Sequence, residues 1–389
     1  MVFKIKKMSC QMAFAVLAAT ALGSVTAYAV PIYTLTDLGT LGGTKSMGYG
    51  INDNGQVTGQ ASTPYDRMTH AFIGDATNGL SDLGTLGDII YSSGRGINNN
   101  GQVAGTGVTS AVQEHAFTGD ATNGLTDLGT LGGTYSWGYG INDRGQVTGT
   151  SNTIGATDLH AFISDATTNI LTDLGTLGGM YSGGRGINNN GQVTGWSTTR
   201  RSPYGHAFIG DATNGLTDLG TLGGTSSEGY AINDRGQVTG RSTIATGQFH
   251  AFISDAITNV LTDLGTLNGG TWSQGQAINA NGQVTGTASV RGQKHAFLWD
   301  SGIMVDLNDL ISPIDLLNGV FTLTDGNGIN SFGDITGTGV DANGQTHAFI
   351  LTAQRTPSAG TNSVPEPAAP LTLLGLGLLG LGFMRKRNG

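Results

Sequence analysis

The triplet His-Ala-Phe occurs seven times, at His70, His115, His160, His206, His250, His295 and His347, and these are all the histidines of the chain. Successive copies lie 45, 45, 46, 44, 45 and 52 residues apart. A unit this small cannot bury an apolar face alone, so its copies must stack or close on one another. Two more markers keep the same step. Asp-Leu recurs at Asp37, Asp82, Asp127, Asp173, Asp218, Asp263 and Asp306; Ile-Asn recurs at Ile51, Ile97, Ile141, Ile187, Ile232, Ile278 and Ile329. In most copies Gln-Val-(Thr/Ala)-Gly follows five residues after the Ile.

Each unit reads as four short extended segments. In the third copy Gly138 to Asn142 passes through Asp143-Arg144-Gly145 into Gln146 to Thr150. After a variable stretch, His160 to Ser164 turns through Asp165 to Asn169 into Ile170 to Leu174. Asn-Asp-x-Gly and Asp-Ala-Thr-Asn-Gly are hairpin chemistry, because Gly and Asn tolerate positive φ. Alternation puts His160 and Phe162 on one side of a strand and Ala161 and Ile163 on the other. Outside the termini no segment keeps a helical period. Four strands in about 45 residues is the size of a β-propeller blade.

The ends of the repeat region argue for closure. It begins with a lone Asp-Leu-Gly segment (Ile32 to Leu38) and stops after a His-Ala-Phe segment (His347 to Leu351), so the first segment is the strand the last unit lacks. The expected fold is an all-β, seven-bladed propeller of four-strand repeats closed by its N-terminal strand. The alternative is a β-solenoid or stacked hairpin array, which has no comparable reason to start and stop on complementary fractions. Leu307 to Asp325 in the last copy is longer by about seven residues and contains Pro313, which predicts an extra loop.

Composition fits such a chain. Gly makes up 66 of 389 residues and charged residues only 12%, against roughly 25% charged in ordinary domains. There is no G-X-Y period, so collagen is excluded. The formal net charge is −9, which argues against a nucleic-acid partner.

The termini read as addresses, giving expected boundaries of 1–29 for a signal peptide, 30–353 for the repeats, 354–363 for a linker and 364–389 for a sorting tail. Lys4, Lys6 and Lys7 precede a short apolar run, and Ala27-Tyr28-Ala29 supplies small residues at −3 and −1, so signal peptidase is expected to cut after Ala29. The one cysteine, Cys10, lies inside that segment. The repeat region therefore holds no thiol and no disulfide. At the other end Val364-Pro365-Glu366-Pro367 precedes an apolar run to Met384 and the basic cluster Arg385-Lys386-Arg387. Such a run is an expected transmembrane helix, with its basic end held inside. Without both ends the body keeps 12 basic and 26 acidic residues.

The box, apolar helix and basic cluster resemble the PEP-CTERM sorting signal of Gram-negative bacteria. The resemblance implies an exosortase-type processing protease as partner, export, and a place at the cell surface or in the exopolysaccharide matrix, with membrane contact through the tail. The His-Ala-Phe and Asp-Leu-Gly-Thr-Leu-Gly-Gly pattern over residues 32–352 resembles the HAF-repeat family of extracellular bacterial proteins, which implies an exported repeat protein and no particular activity.

Several motifs resemble known sites but have a simpler structural role. Equivalent histidines on a third strand are too far apart to share a metal, and each is expected to bond a neighbouring backbone group or the repeated Asp. The Asn52 to Gly55 turn lacks the alternating acids of a calcium loop, leaving at most weak Ca²⁺ binding and no expected cofactor or metal. Gly42-Gly43-Thr44-Lys45-Ser46 has no Gly-Lys pair and no following helix, so it is not a phosphate loop. Antiparallel strands put the uniform turns on one face and the variable connections on the other. The variable stretches carry Tyr49, Tyr91, Trp137, Tyr139, Tyr181, Trp196, Tyr230 and Trp272, a set suited to stacking sugar rings or holding another surface protein. The reading is a non-enzymatic binding protein. Its rivals are a glycan hydrolase or lyase using Asp309, Asp315 and Asp325 of the irregular copy, and a structural spacer without a ligand.

Overall fold

In each His-Ala-Phe strand the alternation sends Ala and Phe to opposite faces of the sheet. In the computed structural model, which describes residues 31–87, 91–155 and 158–354, both are sealed: all seven Phe (Phe72 to Phe349) and all seven Ala (Ala71 to Ala348) are fully buried. This double burial is met by packing every sheet between two others. Among the described residues there are seven four-stranded antiparallel sheets. Phe162 of the third blade packs on Ala116 of the second, and Phe72 of the first on Ala348 of the last. The seven-bladed propeller expected from the repeat is the fold, and its core is seven seams.

Blade 1 runs outward through Ser46–Ile51, Val57–Ser62, Thr69–Asp75 and Gly79–Asp82. Blade 7 takes Thr322–Ile329, Ile335–Val340 and Thr346–Ala353 from the end of the chain and its outermost strand, Tyr33–Asp37, from the beginning. The clasp pairs Leu35 with Leu351 and Asp37 with Phe349. Gln354 N–H donates to the Ile32 carbonyl at 2.8 Å. The Tyr33 hydroxyl reaches the Gly333 carbonyl at 3.2 Å, in the Asn-x-x-Gly turn of blade 7. Ile32 and Gln354 therefore lie side by side on the face of the uniform turns.

That face is tied by a closed ring. The amide nitrogen of each Ile-Asn asparagine donates to the backbone carbonyl of the equivalent Asn in the next blade, from Asn52 to Asn98 and round to Asn330, which returns to Asn52, at 2.9–3.1 Å. The same Asn side chains accept N–H groups of their own turns, as Asn142 does from Arg144 and Gln146. The seams carry a second staple. Ser46, Ser92, Ser136, Ser182, Ser227 and Ser273 each accept the buried N–H of the preceding blade's His-Ala-Phe alanine at 2.8–2.9 Å.

The expected extra loop does more than project. It makes a short 3₁₀ turn, Leu307–Leu310, then lies along the clasp strand. Ser312 N–H donates to the Tyr33 carbonyl at 2.8 Å, and Asp315 accepts Leu35 N–H at 2.8 Å. Ile311 and Phe321 pack with Tyr33 and Leu35 in one buried cluster. The outer edge of this strand is thereby covered, as exposed strand edges need to be.

The signal peptide with Ala27 and Ala29, and the tail with Val364 to Pro367 and Arg385 to Arg387, lie outside the described residues. Among the described residues no helix is long and apolar enough to cross a membrane.

Candidate functional site

The innermost strand of every blade contains a β-bulge. Gly48 pairs with Gly59 and Gly50 with Thr58, leaving Tyr49 as the extra residue. The same slip recurs in all seven inner strands. A bulge re-aims one side chain, and here it aims that side chain at the propeller axis. The extra residues, Tyr49, Arg95, Tyr139, Arg185, Tyr230, Gln276 and Asn327, together line a cavity of about 340 Å³. On the turn side of it the Ile ring and the Asn ring form a separate hollow of about 200 Å³.

The bulge also explains one glycine per repeat. The carbonyl preceding the bulge points at the Gly of Gln-Val-x-Gly. A Cβ on Gly149 would stand 1.9 Å from the Trp137 carbonyl oxygen and 2.7 Å from the Phe162 ring, and the other six positions are as tight against their carbonyls, at 1.8–2.0 Å.

Within the cavity Arg95 lies over the Tyr49 ring at 4.2 Å and Arg185 over Tyr139 at 4.4 Å, distances at which a cation is attracted to a ring face. Burial raises the Tyr49 hydroxyl above its ordinary pKa, with Arg95 opposing. Burial and then Glu228 push the Tyr230 hydroxyl well above the tyrosine range, so both phenols stay protonated donors. Burial works against the Arg185 charge, but Tyr139 and Glu228 more than offset it and hold the guanidinium above its usual pKa. Among the described residues no carboxylate forms an ion pair with Arg95; Glu228 pairs with both Arg185 (3.2 Å) and Arg241 (3.1 Å).

Of the aromatics singled out from sequence, Tyr49, Tyr139 and Tyr230 meet in this cavity, and the others do not. Tyr49, Trp137, Tyr139, Tyr181, Trp196 and Tyr230 sit in strands, a correction to their expected place in variable connections. The inner strands of blades 3 to 5 begin at Gly132, Gly178 and Gly223, absorbing what looked like loop. Trp137 donates to Glu114 of blade 2 at 2.7 Å and stacks with Tyr135. Trp196 lines a separate pocket at the seam of blades 4 and 5. Tyr181 edges a hollow of about 690 Å³ with Met180, Arg200 and Pro203. Tyr91 donates to Gln60 at 3.5 Å. The Trp272 carbonyl accepts Ser289 N–H at 3.0 Å.

Sequence reasoning missed Arg95, Arg185, Gln276 and Asn327. A signal was present: in Gly-x-(Gly/Ala)-Ile-Asn the residue x is Tyr, Arg, Tyr, Arg, Tyr, Gln, Asn in turn, always large and never acidic.

The histidines behave as structural groups. Each Nδ1 lies 2.6–2.9 Å from the nearer oxygen of the repeated Asp on the adjacent outer strand, including His347 with Asp37 across the clasp. In the Asn52 to Gly55 turn the Asp53 carboxylate accepts Ser331 N–H at 2.9 Å. Of the irregular copy's acids, Asp315 and Asp325 do not form a pair. Asp315 is engaged at the outermost strand, while Asp325, on the innermost, accepts from Thr287 and Thr324. Three strand spacings separate these strands, roughly 14 Å, beyond the range of about 5–9.5 Å for paired glycosidase carboxylates.

Comparison with known proteins adds one sequence match and a fold. The PEP-CTERM protein-sorting motif matches residues 363–387, which marks an exported protein handled by exosortase-type machinery and anchored in the membrane through its C-terminus. No curated protein matches the chain. Among solved structures it is similar to the β-propeller domain of the Trilobed protease from Pyrococcus furiosus (TM-score 0.51, 11% identity, 84% of this chain and 98% of that one). It is also similar to a puromycin hydrolase (TM-score 0.52, 15% identity, 80% and 55%), and to TolB from Acinetobacter baumannii (TM-score 0.44, 12% identity, 77% and 64%). The chain thus spans about half to two-thirds of the latter two. At these identities the likeness is one of fold. The P. furiosus domain is described as an open velcro, whereas here the first strand closes the last blade.

Proposed function

We propose that this chain is an exported, non-catalytic propeller of the Gram-negative cell surface or exopolysaccharide matrix, a HAF-repeat protein that holds a glycan or a surface protein through its axial cavity. The boundaries that go with this reading are a signal peptide at 1–29, repeats at 30–353, a linker at 354–363 and a processed tail at 364–389. The bulge ring carries the argument. Seven copies hold backbone, seams and turns nearly constant, yet the one side chain each blade aims at the axis differs from blade to blade. A purely structural ring has no use for that variety. Three phenols, two guanidiniums and two amides form a donor-rich, aromatic-walled cup, the chemistry that holds hydroxylated rings.

The test replaces Tyr139 and Arg95 by Asn, the residue blade 7 carries at this position (Asn327), so the bulge itself is not challenged. Binding to the exopolysaccharide of the producing cell and to a glycan array is measured for the native protein and for Tyr139→Asn/Arg95→Asn. Loss of binding with an unchanged melting temperature supports the axial reading; equal binding by both proteins refutes it.

A further inference from the structure

The seam between blades 4 and 5 departs from the other six. In the second strand the position after the invariant Gly is Thr in blades 2, 3, 6 and 7 but Trp196 in blade 4 and Arg241 in blade 5. The residue before His is Gly205 in blade 4 and Phe249 in blade 5. Together with Arg185, Ser226 and Glu228 these residues line a pocket of about 290 Å³. It opens beside the axial cavity, with which it shares Arg185.

Its walls are built for one kind of ligand. The Trp196 indole lies between two glycines: a Cβ on Gly183 would meet its Nε1 at 2.8 Å, and one on Gly205 its Cε3 at 3.2 Å. With no side chain at either position, the ring can lie flat across the sheet as a platform. Opposite stands a charge cluster that does not balance. Glu228 binds Arg185 and Arg241 through one oxygen each and also accepts the Tyr230 hydroxyl at 3.0 Å, so two positive charges face one negative. Among the described residues neither Arg185 Nε nor Arg241 Nε finds a hydrogen-bond partner. Arg241 is steadied over the Phe249 ring at 4.7 Å. The body around this cluster is strongly acidic, with 26 Asp and Glu against 12 Lys and Arg. A local surplus of cation there favours an anion by direct attraction, screened by salt.

We propose that this seam pocket binds a single acidic sugar, a hexuronate residue, stacked on Trp196 with its carboxylate held by the Arg185–Arg241 pair. Its volume of about 290 Å³ lies just below the range of about 300–1,000 Å³ typical of ligand pockets, room for one ring and not for a chain. The choice of a saccharide over a peptide carboxylate rests on the proposed surface role; the choice of an anion rests on the geometry alone.

Methyl glucuronide and methyl glucoside differ by a carboxylate in place of a hydroxymethyl group, and their binding is followed by ligand-observed NMR and tryptophan fluorescence. The glucuronide is expected to bind at least about tenfold more tightly, the equivalent of one charge-assisted contact, and to weaken as NaCl rises. Arg241→Thr and Trp196→Thr install the residue four other blades carry, so folding is preserved and is checked by melting. Arg241→Thr is expected to erase the preference, and Trp196→Thr to weaken both glycosides about five- to tenfold. Equal affinity of the native protein for both glycosides overturns the proposal, as does unchanged glucuronide binding in either variant. Tighter binding of N-acetylphenylalanine than of the glucuronide overturns it in favour of a peptide terminus. A native protein that binds glycans through the axial cavity yet treats the two methyl glycosides alike refutes this inference and leaves the axial reading standing.

Discussion

Leu35 and Leu171 occupy the same place in the repeat, two residues before the Asp that meets the histidine, yet they sit in different surroundings. Leu171, on the outer strand of blade 3, is half-buried. Leu35, on the clasp strand, is only 4% exposed because Ile311 and Phe321 cover it. Replacing either by Ala removes three carbons. For Leu35 that forfeits about 2.4 kcal/mol of transfer free energy at ~0.8 kcal/mol per carbon, and the cavity left under a covered site brings the cost to about 3–4 kcal/mol. For Leu171 roughly half the transfer applies and solvent fills the space, so the cost is about 1 kcal/mol. The assay is urea unfolding by tryptophan fluorescence, with hydrogen exchange of blade 7 as a local readout. Leu35→Ala should lower the midpoint about three times as much as Leu171→Ala and should speed exchange in blade 7 first. If the two variants lose stability equally, the insertion does not reinforce the clasp and the reasoning fails.

Other outcomes follow from the same geometry. Gly149→Ala forces a methyl against the Trp137 carbonyl and the Phe162 ring; it should cost more than about 3 kcal/mol, seen as a large fall in melting temperature. Asn142→Asp removes donors to Asn188 and Gln146 and sets a carboxylate against their oxygens, so it should cost about 2–4 kcal/mol at neutral pH, whereas Asn142→Ala should cost less. The turn aspartates Asp75, Asp120 and Asp211 have lowered pKa values, chiefly through the side chains of Asn78, Asn123 and Asn214. Their stabilisation is present above the unfolded value of about 3.9 and is lost as pH falls through the lower folded value. The urea midpoint should therefore drop below pH 4, and Asp75→Asn should flatten that drop; a midpoint indifferent to pH between 5 and 2 contradicts it.

What the sequence made legible is what the repeat encodes locally. The His-Ala-Phe alternation, the Asn and Gly turns and the orphan first strand each follow from short-range rules, and they suffice for blades, faces and closure. The bulge at Tyr49 escaped because strict alternation has no place for an extra residue, so nothing marked Arg95 and Arg185 as axis-facing groups. Trp137 and Trp196 were expected in loops because the stretches that carry them vary from copy to copy, yet the strands run on through them, and Gly183 and Gly205 leave room for the Trp196 indole. Asp315 looked like a spare acid because its partner, Leu35 N–H, lies 280 residues away in sequence. No window of the chain contains both.

The clasp also fixes where the chain leaves the propeller. Tyr33 and Ala353 are register partners, so the segment leading to the PEP-CTERM motif departs from the rim of uniform turns. The asparagine ring lies on that same rim, and the variable connections lie on the opposite one. The strand that locks the toroid thereby also sets the side from which the sorting segment leaves it.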